Sequence, residues 1–141
     1  MKFDEKTFRI NSVTLIILAI ASIGAMIGQI MTNEFSVANT VKMLDLSEEM
    51  ARIVLVIGIS MLCIINLITL IVGFGGIRQI GGKGKKEVNV VLATIVLVLK
   101  IIGIVICTYF VFMGKMENQK VLYDCLFIFF LIPYIMCAKR V

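Results

Sequence analysis

Among the 27 residues between Glu87 and Lys115, Lys100 alone is charged. It lies about 12 residues from either end of that stretch, or roughly 18 Å at 1.5 Å per helical residue. A lysine at such a depth in lipid costs about 2.5–3.5 kcal/mol on insertion scales and turns toward protein or water. Its helical neighbours Ala93, Val96, Gly103 and Cys107 form a face of mostly small residues, while Leu97, Leu99, Ile101, Ile102 and Ile106 cover other directions. Small residues allow helices to approach closely in a membrane. Lys100 is therefore expected to face a helix bundle or a subunit interface.

A second weakly polar stripe recurs at helical spacing in Cys63, Asn66, Thr69 and Gly73. Asn66 and Lys100 differ in depth by roughly 6 Å, so the Asn66 carbonyl is the expected acceptor for the ammonium. Lys100, Asn66 and Thr69 together make the candidate intramembrane polar site. Phe127, Phe130 and Tyr134 offer ring faces for cation–π contact. Asp124 is expected at the outer boundary of the last apolar stretch, complementing a helix dipole and too far out to neutralise Lys100. Three roles follow for the lysine: an anion- or proton-linked site, a polar lock between helices, or a contact with an acid on a partner subunit.

The remaining chemistry is sparse. The chain has no His and no Trp, which removes histidine-based catalysis and most transition-metal sites. Cys63, Cys107, Cys125 and Cys137 contain no C-x-x-C pair, which argues against a thiol oxidoreductase. Cys107 and Cys125 lie at similar depth, so a disulfide between them is conceivable; thiols acting as small apolar residues are the simpler reading. No nucleophile–base pair is visible. The expectation is a non-enzymatic protein with no metal, no cofactor and no nucleic-acid partner.

The elements that hold these residues follow from composition. Of 141 residues, 60% are apolar and 16% charged, against ~45–50% and ~25% in soluble domains. Mean hydropathy is +1.07. Arg9 to Glu34 encloses 24 uncharged residues, Arg52 to Arg78 encloses 25, and Lys120 to Lys139 encloses 18 with Asp124 near the start. A spanning helix needs ~20 apolar residues, so four spans are predicted at about 10–31, 53–74, 88–113 and 121–138. A β-barrel would alternate in polarity, and runs such as VTLIILAIASIGAMIG do not. The fold class expected is an all-α integral membrane protein: one domain over 1–141, with four transmembrane helices in an antiparallel bundle.

Basic residues orient the spans. Nine fall on one side (Lys2, Lys6, Arg9, Arg78, Lys83, Lys85, Lys86, Lys139, Arg140) and four on the other (Lys42, Arg52, Lys115, Lys120). Glu34, Asp45, Glu48, Glu49 and Glu117 join the second group. The termini are accordingly expected in the cytoplasm, and the protein in the plasma membrane as a multi-pass chain.

The loops add less. After Ser36, a suitable N-cap, Val37, Val41 and Leu44 fit a short surface helix, and Ser47 with Glu48 and Glu49 fits the start of the second span. Residues 75–87, GGIRQIGGKGKKE, fail the phosphate-loop pattern G-x-x-x-x-G-K-[ST]. They are predicted to form a flexible basic hinge, with Arg78, Lys83, Lys85 and Lys86 drawn to anionic inner-leaflet lipids. Ala21, Gly24, Ala25 and Gly28 in the first span, with Ala93 and Gly103 in the third, are candidate helix-packing positions. Pro133 is expected to kink the fourth span. The leading functional expectation is self-association into a channel-like or pore-forming assembly. The alternative is an accessory, immunity or scaffold subunit of a larger membrane complex.

Overall fold

A computed structural model describes residues 3–32, 36–114 and 118–140. Lys2, Glu34, Lys115 and Glu117, which were counted among the charges of the two sides, lie outside them. The described residues form five helices: α1 Phe3–Met31, α2 Val37–Leu44, α3 Glu48–Ile80, α4 Lys86–Phe112 and α5 Asn118–Arg140. Four of these, all but α2, are long and apolar enough to cross a membrane. Helix is what lipid demands of such sequences, because every backbone N–H and C=O then finds its partner within the segment.

The helices overrun the uncharged stretches that reveal them. With 33 residues, α3 is about 50 Å long, well beyond ~30 Å of hydrocarbon. Its first turn is capped by Ser47, whose side chain accepts from the Met50 N–H, and carries Glu48 and Glu49. At the other end it runs through Gly75, Gly76 and Arg78 to Ile80. The predicted hinge over residues 75–87 thus shrinks to residues 81–85. A glycine pair weakens a helix in water, but here packing requires it. A Cβ on Gly76 would run into the Ser12 hydroxyl and the rings of Phe8 and Tyr134, and one on Gly75 into the Asn89 amide.

Helix α2 forms as its pattern suggests. Ser36 caps its first turn by accepting from the Asn39 N–H, and Asp45 closes it in the left-handed conformation, its N–H bonded to the Val41 carbonyl. The helix packs on α3. In α5 the helix passes through Pro133 without a break.

Helix α1 packs on α3 and α5, α5 packs on α4, and α3 meets α4 more sparsely. The core that joins them is thin. It is built on Phe8, Leu15, Val72, Ala93, Val96, Phe127, Leu131 and Tyr134. Large apolar side chains such as Ile17, Ile57, Phe74, Val98 and Phe129 face outward, as expected where the surroundings are acyl chains. The closest approach is between α1 and α3, where a Cβ added to Gly73 would lie 2.9 Å from the Ser12 carbonyl oxygen.

Candidate functional site

Two polar centres sit within the four long helices. The first is built on Lys100. Along α4, Ala93, Val96 and Lys100 are all buried, and Gly103 and Cys107 half-buried. The Lys100 ammonium donates to Asp124 Oδ1 at 3.1 Å. It also lies 4.1 Å from the ring centroid of Phe127, one helical turn beyond Asp124 on the same face of α5. Side-chain exposure is 8% for the lysine and 22% for the aspartate. Gly103 faces the carboxylate at ordinary contact distance: a Cβ there would sit 3.8 Å from Asp124 Oδ2.

The expectation that Asp124 lies too far out is therefore corrected. That estimate placed Asp124 in the opening turn of a span starting near Val121. The helix begins at Asn118, which puts Asp124 in its second turn. The lysine's flexible four-carbon stem spans what difference remains. Energetics favour this partner. In a low dielectric an amide carbonyl offsets only part of the desolvation of an ammonium, whereas an oppositely charged carboxylate offsets far more.

Asn66 and Thr69 take another place. Both are buried, and the Thr69 hydroxyl donates to the Ile65 carbonyl of its own helix at 2.8 Å. The stripe they belong to turns toward α1, as its ends show: Cys63 Sγ lies 3.9 Å from Met26 Sδ, and Gly73 abuts Ile16. The hydrogen-bond partner of the Lys100 ammonium is Asp124, not the Asn66 carbonyl expected from the sequence.

The second centre, which the sequence reading missed, lies near the other end of the bundle. Asn89 Nδ2 donates to the Gly75 carbonyl at 3.0 Å and to Gln79 Oε1 at 2.9 Å. Gln79 Nε2 in turn donates to the Ala138 carbonyl at 3.0 Å. Tyr134 donates its hydroxyl to the Val72 carbonyl at 2.6 Å and stacks edge-on against Phe8, with centroids 4.9 Å apart. This chain of bonds clasps α3, α4 and α5 together, with α1 leaning on it. Nearby, Asn11 Nδ2 and Ser12 Oγ are buried without a hydrogen-bond partner. One signal pointed to the clasp: two amides within ten residues of each other at the edge of apolar stretches, Gln79 and Asn89.

The remaining predicted positions divide. Ala21, Gly24, Ala25 and Gly28 are exposed, and nothing lies within 4 Å of a Cβ built on either glycine. Among the described residues, none packs against that face of α1. Arg78, Lys83 and Lys85 line a cleft between α3 and α4; Lys86 begins α4 beside it. No disulfide joins the cysteines. Among the described residues, no group of three or more His, Cys, Asp or Glu side chains is placed to hold a metal ion. No family model, curated protein or solved structure matches this chain.

Proposed function

We propose that this chain is a non-enzymatic, multi-pass protein of the plasma membrane that self-associates into a channel-like assembly. The Lys100–Asp124 pair is its intramembrane charged centre. With this goes an orientation: both termini and residues 81–85 in the cytoplasm, and sequential spans running in opposite directions. The excess of basic residues on that side supports it, as does the Arg140–Asp4 ion pair at 3.7 Å, which brings the two ends of the chain together.

The observation that carries the functional reading is the ion pair itself. Charged residues inside spans are costly and mark ion and proton pathways. Here the pair is held at 3.1 Å with its carboxylate the more exposed partner. A passing ion of either sign can compete with one member for the other, which is how a neutral pair would act as a selective barrier. The bare small-residue face of α1 is suited to close contact with a second copy.

The test is ion flux into liposomes, with particle mass in detergent measured in parallel. Lys100→Met and Asp124→Asn are expected to change flux by about tenfold or more while the oligomer keeps its size. Unchanged flux with unchanged assembly removes the pair from any transport role. Unchanged flux with lost assembly makes it a structural lock. The same α1 face favours a second reading, an accessory, immunity or scaffold subunit whose partner helix covers it. A monomer in detergent that is stable only with another gene product present would support that reading.

A further inference from the structure

The cleft between α3 and α4 has a volume of about 660 Å³. Its α3 wall is a single helical stripe, Leu67, Ile71, Phe74 and Arg78, spaced by four, three and four residues. Its α4 wall repeats the pattern in Lys85, Val88 and Leu92. Both walls are apolar along their length and cationic at one end, and it is the same end. Lys83, from the connection between the helices, adds a third cation there, and among the described residues no acidic one lines the cleft. Leu67 to Arg78 spans about 16 Å along the helix, close to the ~15 Å depth of hydrocarbon in one leaflet.

The cleft is held open by the packing around it. Asn89 ties α4 to Gly75 and Gln79 of α3 at its base. Gly84 lies against the α3 backbone, where an added Cβ would be 3.0 Å from the Gln79 nitrogen. Helix α4 starts at the cationic mouth with no side chain capping it, so its first N–H groups add to the attraction for an anion.

We propose that this cleft binds one anionic glycerophospholipid from the inner leaflet. An acyl chain lies along Leu67, Ile71 and Leu92, and the phosphate sits among Arg78, Lys83 and Lys85. A soluble phosphate or nucleotide uses the cations and leaves the 16 Å apolar wall bare; a zwitterionic lipid uses the wall but brings a choline cation into the basic mouth along with its phosphate. Only an amphiphile with an anionic head matches both. This inference rests on the cytoplasmic placement of residues 81–85 and is independent of the channel reading.

Native mass spectrometry of the purified full chain, titrated with phosphatidylglycerol and with phosphatidylcholine, tests it. One phosphatidylglycerol per chain is expected to bind at about tenfold lower concentration than phosphatidylcholine. The triple variant Arg78→Gln/Lys83→Gln/Lys85→Gln is expected to abolish that preference, while Lys6→Gln/Arg9→Gln/Lys139→Gln, at three exposed basic residues outside the lining, keeps it. Val88→Trp, which fills the apolar wall and leaves the cations, is expected to weaken lipid retention about tenfold. Circular dichroism of each variant establishes that the helices persist. Equal binding of the two lipids overturns the proposal, and so does equal loss in the two triple variants, which signals a diffuse surface charge. Full retention of lipid by Val88→Trp, or displacement by millimolar inorganic phosphate, reduces the site to a phosphate contact and also overturns it. Flux and oligomer mass are unaffected by any of these results, so the two proposals fail separately.

Discussion

At the scale of single residues, the chain places its few polar groups where exchange for apolar ones has a sign that can be worked out. Lys100→Met removes the cation and leaves the Asp124 carboxylate among apolar groups. Breaking a buried pair from one side costs about 3 kcal/mol, and thermal unfolding in detergent reads that loss. The double variant Lys100→Met/Asp124→Asn is expected to recover most of it, because the uncompensated charge, and not the lost bond, dominates the penalty. The Ser12 hydroxyl is buried and unpartnered, so Ser12→Ala is expected to stabilise the protein by about 1 kcal/mol. Gly76→Ala goes the other way. Its methyl group would meet Phe8, Tyr134 and Ser12, and overpacking of that kind costs about 1–3 kcal/mol.

Among the helices, the decisive positions are those where two elements meet through backbone. Gln79 reaches from α3 to the Ala138 carbonyl of α5 and accepts from Asn89 of α4. Gln79→Leu therefore leaves the Ala138 carbonyl without this donor and one Asn89 amide hydrogen without an acceptor, while Asn89 keeps its bond to Gly75; about 1–3 kcal/mol is lost. Accessibility of a cysteine introduced at Ala138 would rise as the ends of α3 and α5 separate. Sequence periodicity exposed the α2 helix and both serine caps because capping is local: the side-chain oxygen and the N–H groups it serves are within three residues. It failed at Gly75–Ile80, where glycines that read as a hinge are in fact the flat surface against which Asn89, Phe8 and Tyr134 pack. Glycine loses helix propensity in isolation, yet in a bundle its missing side chain is what lets a neighbour approach.

For the molecule as a whole, cohesion and association are separate questions. Inside the chain, α1 and α3 come together at Gly73 and Gly76, opposite Ser12 and Ile16. The Ala21, Gly24, Ala25 and Gly28 face is left bare. Replacing Gly24 and Gly28 with Ile should leave the monomer's thermal stability within about 0.5 kcal/mol, since no neighbour in the chain is displaced. It should shift particle mass in detergent toward the monomer if copies meet on this face. A variant that keeps its mass locates the contact elsewhere.

What the sequence determined by itself was the number of helices long and apolar enough to cross a membrane. Apolar stretches about as long as the hydrocarbon is thick leave helices as the only continuous solution, and Lys100 stands out because a charge in such a stretch is conspicuous. Even the inward face of α4 could be read, since small residues repeat with the helical period. The tertiary structure alone decided the partner. Asp124 seemed too shallow when each span was measured from its own charged edge, but the true offset between α4 and α5 depends on where each helix starts and how the two pack. The same holds for the clasp of Gln79, Asn89 and Tyr134 and for the cleft beside it. Their members come from different helices, and the distance between helices is set by interlocking side chains that no one-dimensional period encodes.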